Sequence, residues 1–196
     1  FKAGDVITFS GIATDPDGEL TGDNYSWLIR FVHNVHFHTV FGPVSGTNGS
    51  FDIPVSGHDF SDNTGFEITL TVTDSDGLIA TDTVLIYPDK VNLTFDSNLS
   101  GTPVTLDGIP RTAPFVLDTL IDFQHTISVP ETQCLGSTNY IFSGWSDGGT
   151  VTHSITVPNS DNSYVATYTL SGQCTPDSNQ LPLAISDTAS VVVGGS

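Results

Sequence analysis

A chain of 196 residues is long enough to bury one large core or two modest ones. Its 22 acidic and 4 basic residues give a formal net charge of -18, with Lys2, Arg30, Lys90 and Arg111 too scattered to form a basic patch. Nucleic acid is therefore excluded as a partner, and membrane insertion is excluded because no apolar run approaches the roughly 18 to 20 residues that span a bilayer.

The apolar runs are short, β-branched and bounded by Gly, Pro, Asn and Asp, without a 3.6-residue period, which predicts an all-β chain. In chain order, strands are predicted over 6–14, 25–34, 35–41, 50–55, 66–73 and 79–87. This first group, 1–89, is expected to form an immunoglobulin-like β-sandwich that starts at its second strand. The break falls at Tyr87-Pro-Asp-Lys90, where Pro88 halts the ladder and Val91 opens a new strand at once. So short a linker predicts that the modules dock. A second small all-β module, 90–174, follows with strands over 91–96, 103–107, 114–118, 123–129, 139–144, 151–157 and 163–170. Residues 175–196 read as a Pro-marked linker and the first strand, 187–193, of a further module. Phe1 is preceded by neither Met nor a signal segment, which predicts a piece excised from something longer.

Cys134 and Cys174 are the only cysteines, with no His at metal-ligand spacing between them, so a disulfide is the economical reading. A bridge closing about 40 residues stabilises by roughly 4 kcal/mol in the loop-entropy picture. It implies an oxidising compartment, secreted or at the cell surface. Four Asn-x-Ser/Thr sequons occur, at Asn24, Asn48, Asn92 and Asn98, and carry little weight in so Ser/Thr-rich a chain.

Strands 6–14 and 66–73 both run up to an Asp-x-Asp-Gly loop, which places the two loops at one end of the sandwich. Asp15, Asp17, Glu19, Asp74 and Asp76 are candidate ligands for Ca2+, which takes six to eight oxygens. The alternative is that Asp-Gly makes a tight turn and nothing more. At the opposite end, His33, His36 and His38 flank the turn between strands 25–34 and 35–41, and His58 lies in the loop leaving strand 50–55. His36 and His38, two apart, share one face of a strand and can offer two imidazoles to Zn2+ or Cu2+. The competing expectation is packing between the modules, metal-free, because no carboxylate is placed to orient these rings.

Ala3-Gly-Asp-Val-Ile-Thr-Phe-Ser-Gly11, Thr14-Asp-Pro-Asp-Gly18, Tyr25-Ser-Trp27 and Leu70-Thr-Val-Thr-Asp-Ser-Asp-Gly-Leu78 resemble a polycystic-kidney-disease (PKD) type immunoglobulin-like module. The His33-Asn-Val-His-Phe-His38 segment and Gly57-His58 resemble the variant attached to secreted bacterial sugar dehydrogenases and other carbohydrate-active proteins. That resemblance implies an extracellular accessory module, often calcium-stabilised. In the second module, Phe142-Ser-Gly-Trp-Ser-Asp-Gly-Gly149 and Tyr164-Val-Ala-Thr-Tyr168 resemble a divergent internalin-type B-repeat, which implies adhesion rather than chemistry.

Gly144-Trp-Ser-Asp-Gly148 matches the G-x-S-x-G nucleophile elbow, but a strand follows it where the elbow needs a helix, so hydrolysis is not expected. Trp145 and Tyr140 are candidates for stacking on a sugar, or else core residues. The expectation is thus a non-catalytic accessory region that binds carbohydrate or a cell-surface or protein partner and spaces its neighbouring modules. The alternatives are an adhesin or filament unit that pairs through its terminal strand, and a His-ligated transition-metal site.

Overall fold

The computed structural model describes residues 1–175, and the strand expected over 187–193 lies outside them. The all-β expectation holds: the described residues form strands throughout, with one short 3-10 turn at Gly22–Asn24.

The first group comprises β1 (Val6–Ser10), β2 (Tyr25–His33), β3 (His36–Ser45), β4 (Asn48–Asp52), β5 (Thr64–Thr73) and β6 (Ile79–Ile86). Alternation decides how they sit. Tyr25, Trp27, Ile29 and Phe31 of β2, and Phe66, Ile68, Leu70 and Val72 of β5, point inward at every second position and are buried. These strands are the centre of an antiparallel sheet ordered β3-β2-β5-β6. A two-stranded sheet, β1-β4, faces it. Phe9 meets Trp27 at 4.6 Å between ring centres and Phe51 meets Phe66 at 5.3 Å, so the sheets close over an aromatic core. Gly49 makes the first contact fit, since a Cβ there would lie 2.5 Å from the Phe9 ring.

Two strands cannot cover four. Phe41 and Val44 of β3 still pack on the core, but the stretch from His36 to Val40 is exposed, and β6 is exposed along nearly all its length, with Ile79 at 66% and Val84 at 56% exposure.

Three residues separate β6 from β7 (Lys90–Ser97), the first strand of the second group. There follow β8 (Pro103–Leu106), β9 (Ile109–Thr112), β10 (Phe115–Leu120), β11 (Gln124–Ser128) and β12 (Thr132–Leu135). The group ends with β13 (Thr138–Trp145), β14 (Thr152–Thr156) and β15 (Asn162–Gln173). One sheet is ordered β10-β7-β15-β13-β12 and the other β14-β11-β8-β9. The last strand, β15, sits at the middle of its sheet, antiparallel to β13 and parallel to β7. The disulfide between Cys134 and Cys174 fastens the end of β15 to the edge strand β12, with Cα atoms 6.0 Å apart.

Two strands, β9 and β12, were not expected from the sequence. The first strand is shorter than predicted, since β1 ends at Ser10, whereas the expected 35–41 strand continues to Ser45.

The modules dock. Backbone bonds run from Ala3 N to Ile121 O at 3.0 Å and from Gln124 N to Val55 O at 2.8 Å. Phe60 meets Phe123 at 5.5 Å, and the buried side chains of both modules form one continuous cluster. Lys90 bridges the seam, donating to the Asp62 carbonyl and to Asp118 Oδ2, while Asp62 N donates to both carboxylate oxygens of Asp118 at 3.1 Å.

Candidate functional site at the joint between the modules

From the first module, the segment after β4 is pinned where Gly4 N donates to Ile53 O and Ile53 N to Asp5 O. Gly57 then turns with φ 82°, a region that favours glycine. Phe60, 2% exposed, is held edge-on by Phe31 at 5.2 Å and by Phe123. That anchor fixes the two residues before it, His58 and Asp59, at the seam. Asp59 is pushed up by partial burial, but hydrogen bonds from Ser61 and the charges of His33 and Arg111 outweigh that push. Its carboxyl is held below the ordinary carboxylate value.

From the second module, the β8–β9 hairpin turns at Asp107-Gly108, both with positive φ (49° and 82°), as a two-residue hairpin loop requires. Asp107 Oδ1 accepts from Thr126 N at 2.8 Å, and Oδ2 lies 2.6 Å from His125 Nδ1. His125 Nε2 in turn lies 2.8 Å from Thr119 Oγ1. Between the two contributions opens a groove of about 500 Å³, whose lining includes His58, Asp59, Arg111, Phe123, Gln124 and His125.

Arg111 is the available cation here. Arg30 and Lys90 are paired with Glu67 and Asp118, whereas Arg111 has no carboxylate at ion-pair distance among the described residues and lies 5.5 Å over the Phe115 ring. The groove thus combines planar hydrogen-bonding groups with the apolar faces of Ile109, Leu117 and Phe123.

Asp107, His125 and Thr119 stand in the order of a carboxylate–imidazole–hydroxyl relay. Thr119, however, is 2% exposed and does not line the groove, so no substrate carbonyl can reach its hydroxyl. Since β10 and β11 belong to opposite sheets, the chain of bonds is a polar pin through the second module. Sequence reasoning missed it, because His125 lies 6 residues from Thr119, on the opposite sheet, and 18 from Asp107, which leaves no short-range motif.

The histidine pole is brought together. The ring centres of His33 and His36 are 5.3 Å apart, of His36 and His38 5.0 Å, and of His38 and His58 6.4 Å. His58 also packs on Phe31 at 4.3 Å, one ring away from the inter-module contact at Phe60.

The two Asp loops are neighbours as well, with Asp15 and Asp74 lining one small pocket. One oxygen of each of these two carboxylates accepts from its own loop: Asp15 Oδ1 from Asp17 N, and Asp74 Oδ1 from Asp76 N and Leu78 N. Among the described residues, no three of His, Cys, Asp and Glu are arranged around a common point as a metal ion would need.

Of its two expected places, stacking platform or core, Trp145 takes the core. It is 4% exposed, its Nε1 donates to Val151 O at 3.5 Å, and Tyr140 is half-buried against the same cluster. In the Gly144–Gly148 turn, Ser146 Oγ donates to Ser163 O and accepts from Val165 N. His153 Nε2 meets Asp147 Oδ2 at 2.9 Å instead of the serine, so the turn is a clamp.

Comparison with known proteins finds no family model that matches this sequence and no curated protein that matches it.

Proposed function

We propose that this chain is a non-catalytic binding and spacing segment of an extracellular protein, and that it holds a carbohydrate in the groove between its docked modules. The observation that carries this reading is the groove itself, about 500 Å³ with walls from both modules. Sugars are bound by planar polar side chains that satisfy paired hydroxyls beside apolar surfaces that cover C–H faces. Arg111, Gln124 and His58 supply the first, and Ile109 and Phe123 the second. The disulfide fits an oxidising compartment. The resemblance of residues 3–78 to the accessory modules of carbohydrate-active proteins points the same way. Calcium at the Asp loops is a separate matter from this reading, since Asp15 and Asp74 line another pocket and not the groove.

The test is a screen of soluble oligosaccharides against the purified chain, followed by calorimetric titration of the best binder. Arg111→Ala and Gln124→Ala are expected to weaken that binding by about tenfold each, the equivalent of one or two lost hydrogen bonds. Equal affinity in both variants would remove the groove as the site.

A second reading has its own observation. Strand β6 is an eight-residue edge with both faces exposed, and it can accept a strand from another chain by addition to the sheet.

A further inference from the structure

The exposed stretch of β3 carries a group of side chains that the glycan reading does not use. His33 and His36 lie directly opposite each other across the β2–β3 pair, so their side chains share a face of the sheet. His38 is two residues on and shares that face too. β1 meets β3 at Phe41, whose ring centre lies 6.5 Å from that of Phe9, while His36, Phe37 and His38 are all exposed. The turn between the strands is fixed: Asn34 takes φ 52°, and its N–H donates to Asn63 O at 2.8 Å. Three imidazoles are therefore held on one short hairpin, with His58 at its rim.

Two further observations point to a ligand. His33 Nε2 is shielded from solvent and has no hydrogen-bond partner, a costly condition for an imidazole nitrogen. The ring spacings also match: two imidazoles on one tetrahedral ion, each nitrogen about 2.0–2.1 Å from the metal, have centres about 5 Å apart. His36 stands at 5.3 Å from His33 and 5.0 Å from His38, the hub of the group.

We propose that His33, His36 and His38, with His58 as a rim ligand, form a binding site for one divalent transition-metal ion of the class that prefers imidazole, Cu2+ or Zn2+. The donors do not yet converge on one point. Because His36 and His38 are exposed, their rings turn about χ1 and χ2 onto an ion held by the partly buried His33. The acidic surface of a chain with net charge -18 raises the local concentration of cations.

The proposal shares only His58 with the groove and stands on the three hairpin histidines. It is tested by calorimetric titration of the metal-free chain with Zn2+, and with Cu2+ in a weakly chelating buffer, alongside melting curves with and without metal. The expected result is one ion per chain and a metal-dependent rise in melting temperature. His36→Ala and His38→Ala each weaken binding by at least about tenfold, and the double variant loses the rise. Both side chains are exposed, so these variants keep the metal-free melting temperature of the wild type. His153→Ala, in the other module, leaves metal binding unchanged. Absence of stoichiometric binding by the wild type, or equal affinity in the double variant, overturns the site whatever the outcome of the sugar screen.

Discussion

Asp147 accepts from Gly149 N at 3.0 Å and meets His153 at 2.9 Å, closing the turn that carries Trp145 into the core. Partial burial pushes its carboxyl up, but the Gly149 amide and the hydrogen bond and charge of His153 outweigh this and hold it below 3.8. A folded value below the unfolded one stabilises fully above the unfolded value, and the contribution is lost as pH falls through the lower folded value. Asp147→Asn is therefore expected to lower stability at neutral pH by about 0.5–1 kcal/mol, in keeping with a partly exposed pair. The gap between variant and wild type narrows as pH falls through the ordinary carboxylate range and closes below the lowered folded value. Urea melts at pH 3, 4 and 7 check this, and a gap that is the same at all three would detach the stability from the carboxylate. Residue-scale geometry also settles the role of two sequon side chains. Asn24 Nδ2 donates to Thr73 O, and Asn98 bonds Tyr168 through both its amide atoms, so both serve as braces between strands.

At the scale of elements, alternation is what the sequence discloses. Tyr25 to Phe31 and Phe66 to Val72 show a two-residue period over four inward positions each, and the central strands β2 and β5 lie where that period places them. The strands β9 and β12 escape because each is four residues long and mostly exposed. In β9, Pro110 also argues against a strand. The histidine pole was legible for the same reason as β2: a two-residue spacing on a strand maps directly onto one face. The groove was not, since Arg111, Gln124 and Asp59 meet only when β9, β11 and the segment after β4 are assembled. The same logic of open flanks bears on β6, whose inner face carries Val84 opposite Ile68. If strand addition occurs, Val84→Lys will abolish concentration-dependent self-association in sedimentation velocity while leaving the monomer's far-UV circular dichroism intact. A wild-type chain that stays monomeric at high concentration would confine β6 to a simple edge.

For the whole molecule, the joint decides whether there are two folding units or one. Phe60 and Phe123 meet across it, and the buried residues of both modules are continuous. Each module holds one buried tryptophan, Trp27 in the first and Trp145 in the second, so the chain carries its own pair of reporters. With Trp27→Phe and Trp145→Phe isolating each signal, the two urea transitions are expected to coincide. Phe60→Ala should lower both midpoints together by the equivalent of about 3 kcal/mol. Separate midpoints, with only the first module responding to Phe60→Ala, would mean that the contact is a passive spacer.

The placement of β15 has a consequence for how the protein is made. The strand synthesised last among the described residues occupies the centre of its sheet, between β7 and β13, and the disulfide is completed only beyond it, at Cys174. A ribosome delivering this polypeptide emits the first module as a near-complete unit, while the second waits with a vacant central lane until its final segment emerges. During that interval the exposed edges of β7 and β13 are open to wrong partners. A stop codon placed before residue 162 would therefore leave the second module without its middle strand.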